Sequence, residues 1–177
     1  MTPMATTKAA SKGRRTLYLV RHAIAAERGD KYPDDTKRPL TRKGIGRMRE
    51  TVRGFGTLKP DIELVLTSPL VRARQTADIL IDRLSPEPAI EVCPALAPDH
   101  SPAEVADAIA QVGNRRVIAL VGHEPDLGQL GAWLIGAHEP LVFKKGSIAR
   151  IDVPAFPPAR DGQLVWLATP RMLRGLS

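Results

Sequence analysis

The chain has 177 residues, about one domain at roughly 150 residues each, and 43% hydrophobic with 25% charged side chains excludes disorder throughout. No apolar run approaches the roughly 18 residues of a membrane helix, and the single cysteine, Cys93, excludes an intrachain disulfide and a cysteine-based zinc site. Of the net charge of +7, Lys8, Lys12, Arg14 and Arg15 supply four, with no acid among residues 1–15, leaving only +3 for the rest.

Residues 1–15 therefore read as a solvated basic tail rather than a nucleic-acid arm. They lack the apolar stretch of a secretory signal. From Thr16 onward, strand and helix patterns alternate in one domain, residues 16–177. Residues 16–20 form a short apolar strand. Residues 41–55 follow as a helix, with Thr41 as N-cap and Ile45, Met48, Val52 and Phe55 at helical spacing. Residues 63–67 are a second strand, after which Ser68 is expected to cap a helix with Pro69 in its first turn. A short strand is expected near 90–92 and a helix over 102–112. Residues 116–121 give the most apolar strand, followed by a helix from Pro125. The runs 147–153 and 163–169 predict a hairpin around the Pro-rich stretch 154–162. This alternation predicts an α/β layered domain with a largely parallel sheet.

Three polar motifs stand at three strand ends: Arg21-His22, then Ser68-Pro69-Leu70-Val71-Arg72, then Gly122-His123-Glu124-Pro125. In a parallel sheet all three reach the carboxyl edge, where open α/β sheets bind ligands. Two of them also open helices, whose N-termini favour anions. Two arginines and two histidines would then converge as a phosphoryl group requires. Arg21 and Arg72 offer forked donors to its oxygens, His123 a further donor, and His22 a nucleophile able to form a covalent phosphohistidine. Like-charge repulsion from the arginines favours the neutral imidazole that attack needs. Each residue singly has a structural alternative. Arg72 could pair with Asp78 or Glu63, His123 could cap a helix, and His22 could be an ordinary strand-end histidine.

The runs Leu19-Val20-Arg21-His22-Ala23, Arg38-Pro39-Leu40-Thr41-Arg42-Lys43-Gly44, Ser68 through Ala77 and Val121-Gly122-His123-Glu124-Pro125 resemble the histidine phosphatase (phosphoglycerate mutase-like) superfamily. Within it, the chain is most similar to the SixA-type phosphohistidine phosphatases. The likeness spans nearly everything from Thr16 to Thr169, in order. It implies a three-layer α/β/α sandwich with a mostly parallel, mixed six-stranded sheet. It also implies His22 as nucleophile, a phosphate pocket of Arg21, Arg72 and His123, and neither metal nor cofactor. The sequence carries no HExxH, no DxDxDG loop and no Walker lysine motif.

Larger members of the superfamily carry a glutamate general acid after the third strand. The corresponding stretch here, residues 94–100, has no glutamate. Asp99 is the nearest replacement, and its alternative is a turn residue before the helix at Ser101-Pro102. An imidazole leaving group needs less acid help, which favours phosphohistidine over an alkyl phosphate. Little chain is left for a lid between Arg72 and His123, so the charged segment 23–37 is expected to shape the rim. Arg38 is a candidate substrate-binding residue, with pairing to Asp35 as its structural alternative. The expected activity is a metal-independent phosphatase of phosphohistidine in a protein. The alternatives are a small phosphate ester as substrate or a non-catalytic phospho-binding module. A cytoplasmic monomer is expected, with neither nucleic acid nor membrane as partner.

Overall fold

The computed structural model describes residues 13–177; residues 1–12 of the expected tail lie outside the described residues, and Arg15 already opens a strand. Six strands form one sheet: β1 (Arg15–Arg21), β2 (Leu64–Thr67), β3 (Ala89–Val92), β4 (Val117–Gly122), β5 (Ile148–Val153) and β6 (Gln163–Ala168). Their order is β3-β2-β4-β1-β5-β6. The β1, β2, β3 and β4 strands pair in parallel, while β5 and β6 add an antiparallel hairpin. The sheet is thus mixed, and its parallel part has the three motifs at one edge.

Alternate residues of the central strands face opposite layers. Tyr18 and Val20 of β1, Val65 of β2 and Ala119 and Val121 of β4 pack under α1 (Arg42–Gly56), α2 (Val71–Ile81) and α5 (Pro170–Arg174). Leu17, Leu19, Leu64, Leu66, Ile118 and Leu120 face α3 (Pro102–Ile109) and α4 (Asp126–Leu134). Because both faces are covered, β2 and β4 read as continuous apolar runs.

The expected cap holds at α1, where Thr41 accepts from the Gly44 N–H; at α3, Ser101 forms a capping box with Glu104. Ser68 does not cap α2. That helix begins at Val71 with Leu70 as N-cap and no side-chain cap, and the Ser68 hydroxyl accepts instead from the Leu70 N–H before the helix while also meeting His123. Three further elements were not expected: 3-10 turns at Asp35–Lys37 and Pro94–Leu96 and the short helix α5, whose N-cap Thr169 accepts from Met172 N–H. Among the described residues, no helix is long and apolar enough to cross a membrane.

Candidate active site

The site is built on strand ends. In the β1–β4 pair Arg21 lies opposite Gly122, so the next residues, His22 and His123, emerge side by side. The His22 N–H donates to the Gly122 carbonyl at 3.0 Å. The two imidazole centroids are 5.0 Å apart, and the residues are 6% and 4% exposed. His22 Nδ1 lies 2.7 Å from the Ala23 carbonyl oxygen. A carbonyl only accepts, so Nδ1 carries the proton and Nε2 keeps its lone pair. Burial pushes His22 down to about 4, with Arg72, Arg21 and Lys145 adding to the effect. The ring is therefore neutral at pH 7. Burial, then His22 and Arg72, push His123 down to about 3. Its Nε2 lies 2.8 Å from Ser68 Oγ. Ser68 Oγ already accepts from the Leu70 N–H at 3.3 Å, which leaves its own proton to donate to His123 Nε2. The ring proton then rests on His123 Nδ1, a buried atom without a partner among the described residues.

The arginines are held on their outer nitrogens. Arg21 Nη1 donates to the Phe143 carbonyl at 2.6 Å, and Arg72 donates from Nη1 to the Asp35 carbonyl at 2.8 Å and from Nη2 to Asp35 Oδ2 at 2.9 Å. Arg21 Nε and Arg72 Nε are buried and have no partner among the described residues. Burial lowers both guanidinium pKa values, opposed by Glu124 at Arg21 and first by Asp35 at Arg72. Buried donors are normally satisfied. Two guanidinium Nε and one imidazole Nδ1 left over in one cleft suit an anion rich in acceptor oxygens. Arg21, His22, Arg72 and His123 all line that cleft, which has a volume of about 310 Å³.

The rim differs from the floor. Asp35 receives Arg28 at 3.0 Å, Arg38 at 2.9 Å and Arg72 at 2.9 Å. Burial pushes its carboxyl up, but Arg72 and Arg38 outweigh this and hold it below its usual range. Arg38 lines the cleft while bound to Asp35 and to the Ala26 carbonyl, so both of its sequence readings describe part of its position. Arg72 pairs with neither Asp78 nor Glu63. Asp78 takes Arg74, and Glu63 accepts from the Arg116 N–H. Asp99 also lines the cleft but is exposed, in a left-handed turn at φ 70°, with its N–H donating to Asp126 Oδ2. Its turn character and its position at the site thus coexist.

Sequence reasoning passed over several residues that the fold brings in. Glu124 lines the cleft next to His123; burial raises its pKa, with Arg21 pulling the other way, and its Oε1 is buried without a partner among the described residues. It stood inside a quoted motif and gave no separate signal. Lys145 lines the cleft from the loop before β5. Thr76 receives the Ala23 N–H at 3.1 Å and donates to the Arg72 carbonyl at 2.7 Å, tying the segment after His22 to α2. Gln75 accepts from the Leu40 N–H at 2.8 Å. At Gly44 a Cβ would run into the Ile24 carbonyl, so only glycine lets α1 approach that segment. Cys93 is buried at the end of β3, and burial raises its thiol pKa, so it is a packing residue. Among the described residues, no group of three or more His, Cys, Asp or Glu is placed to hold a metal ion.

This fold and this paired-histidine, paired-arginine cleft define an α/β phosphatase of one family. The family model for the histidine phosphatase superfamily (branch 1) matches residues 17–97. The chain belongs to that superfamily and, within it, is a SixA-like phosphatase. It is 29% identical over 160 residues to the phosphohistidine phosphatase SixA of Escherichia coli, covering 89% of this chain and 96% of that protein. An uncharacterised protein of Picosynechococcus sp. is 37% identical over 164 residues, covering 89% of this chain and 98% of the relative. Among solved structures, a protein histidine phosphatase SixA complexed with tungstate superimposes with a TM-score of 0.78 at 28% identity, covering 88% of this chain and 97% of that one. The sheet and its helices match the phosphoglycerate mutase-like fold of the SixA structures.

Proposed function

We propose that this chain removes the phosphoryl group from phosphohistidine in a protein, through a covalent phosphohistidine on His22. The observation that carries the reading is the state of His22. Its Nδ1 proton is committed to the Ala23 carbonyl, its ring is neutral, and Nε2 is left with a lone pair in a cleft that Arg21 and Arg72 also line. Nε2 attacks phosphorus, the substrate's P–N bond breaks, and its electron pair goes to the departing imidazole, which leaves neutral because its other nitrogen carries a proton. Water then attacks the phosphorus of phosphorylated His22, the His22–phosphorus bond breaks, and inorganic phosphate leaves. Arg21 Nε, Arg72 Nε and His123 Nδ1 donate to the phosphoryl oxygens in both steps. Fixed donors of this kind provide most of the catalysis in phosphoryl transfer. The arginines supply the positive charge, so the proposed reaction is metal-independent and EDTA should leave it unchanged.

Two carboxylates can act as the acid for a poorer leaving group. Glu124 is the stronger candidate, because it lines the cleft half-buried beside His123 and burial shifts its carboxyl upward. Asp99 is the other, exposed on the rim. Glu124→Gln should slow hydrolysis of an aryl phosphate more than Asp99→Asn does, and both should slow phosphohistidine hydrolysis less. A second reading, a small phosphate ester as substrate, is favoured by the cleft volume of about 310 Å³, which lies within the range of small-molecule sites.

The test is phosphate release from a histidine-phosphorylated carrier protein in EDTA, with para-nitrophenyl phosphate alongside and His22→Ala as control. Fast, His22-dependent release from the carrier with slow aryl turnover is the expected result. Fast aryl turnover with an untouched carrier would move the substrate to a small ester.

A further inference from the structure

A second depression lies beside the cleft, between the segment after His22, α1 and α5, with a volume of about 260 Å³. Its floor includes buried Ala23, Gly44, Met48 and Thr51. Its rim is cationic: Arg47 from α1, Lys144 and Lys145 from the loop before β5, and Arg171 and Arg174 from α5. No Asp or Glu lines it. Glu50 reaches Arg174 at 3.7 Å, while Arg47, Lys144, Lys145 and Arg171 form no ion pair among the described residues. Three separate parts of the chain thus deliver like charges to one groove, in a chain whose net charge beyond residue 15 is only +3. Gathered cations repel one another, and an anionic ligand relieves that repulsion. Lys145 lines this groove and the cleft alike, so the two are neighbours.

The surroundings favour a protein as the source of that anion. The groove mixes apolar side chains, Ile24, Met48 and Pro170, with its five cations. That mixture suits a protein surface. No aromatic side chain lines the groove to stack a nucleobase.

We propose that this groove binds acidic side chains flanking the phosphohistidine of the substrate protein and so selects among phosphoproteins. The proposal rests on the phosphohistidine reading above and adds to it a substrate class: phosphohistidine in an acidic surround. Charge complementarity outside the reacting centre raises encounter rate and affinity, so it acts on KM and leaves kcat nearly unchanged.

The test uses two fluorescein-labelled peptides, each with one central histidine, flanked by four glutamates in one and four glutamines in the other. Binding of the unphosphorylated peptides is followed by anisotropy with the full chain. Wild type should bind the glutamate peptide about tenfold more tightly at low salt, and the preference should shrink at high salt. Arg47→Glu with Arg171→Glu should abolish the preference, and Arg47→Gln with Arg171→Gln should reduce it. Both variants should keep wild-type turnover of para-nitrophenyl phosphate, which reports that they are folded. After chemical phosphorylation of the histidine, the glutamate peptide should show the lower KM with an equal kcat. Equal binding of the two peptides by wild type, or a preference that survives in the charge-reversed variant, overturns the proposal. So does salt-sensitive binding of double-stranded DNA through Arg47 and Arg171 without any peptide preference. Binding is read without turnover. Peptides that bind as expected but are never dephosphorylated would sink the phosphohistidine reading and leave the groove's preference for acids standing.

Discussion

The floor of the cleft and its rim are held by different forces. On the floor, His22 and His123 continue paired strands, and Ser68 follows a third, fully buried one. Their positions are set by the sheet ladder and by a core packed on both faces, and moving them means distorting that packing. On the rim, Asp35, Arg28 and Arg38 are placed by ion pairs, with Arg28 well exposed and Asp35 half-buried. An exposed pair such as Arg28–Asp35 contributes roughly 0–1 kcal/mol and can exchange partners. On the function proposed above, the floor is thus preorganised for phosphoryl transfer, whereas the rim can re-form around the group that carries the phosphate. Arg72 belongs to both. Its side chain is buried like the floor, yet its two outer nitrogens are committed to Asp35.

This contrast can be broken experimentally, and the largest effect should come from the floor. His22→Ala should abolish turnover while vanadate still binds, read by phosphate release and by calorimetric titration. Substantial residual activity would remove His22 from the nucleophile's role. Arg21→Ala and Arg72→Ala should each lower kcat/KM by roughly 10²–10³, the scale of losing one transition-state donor. A loss below tenfold would place that arginine outside the phosphate pocket.

Acid should expose the floor next. His22 is lowered to about 4 and His123 to about 3, from an ordinary value near 6.5. Between those values the unfolded chain binds protons on both rings that the folded chain refuses. Stability therefore rises with pH across this window and is lost as pH falls from about 6.5 toward 4 and then 3. Thermal melts should show that decline, and His22→Asn and His123→Asn should flatten it. Over the same range kcat/KM should hold to about pH 5 and then fall as His22 takes up its proton. An acid limb near neutrality would contradict the buried, neutral ring.

Rim changes should be smallest. Asp35→Asn removes the carboxylate shared by three arginines but leaves the backbone carbonyl that receives Arg72, so kcat/KM should fall less than about tenfold. Arg38→Ala should act within the same limit. Asp99→Asn, at an exposed turn, should matter least, with an effect confined to aryl or alkyl phosphates.

Much of this protein was legible from residue order. Short apolar runs located the strands and helical spacing located four of the five helices, because burial on one or both faces leaves its mark on residue order. The fifth helix, α5, is five residues long and too short to show a period. The site residues at strand ends were legible for a topological reason: parallel pairing sends every strand's carboxyl end to one edge. Residue order could not reveal which partner each side chain meets. Ser68 looked like a cap and instead meets His123, 55 positions away in the chain. Arg72 had two acids close by in sequence and pairs with a third, 37 positions distant. Glu124, Lys145 and the cationic groove are ordinary surface chemistry until α1, α5 and the loop before β5 come together. Local sequence determined the elements, because backbone preference and apolar period act over a few residues. Only the tertiary structure decided the protonation of the histidines and the pairing of the charges, because burial and Coulomb interaction depend on distance through space.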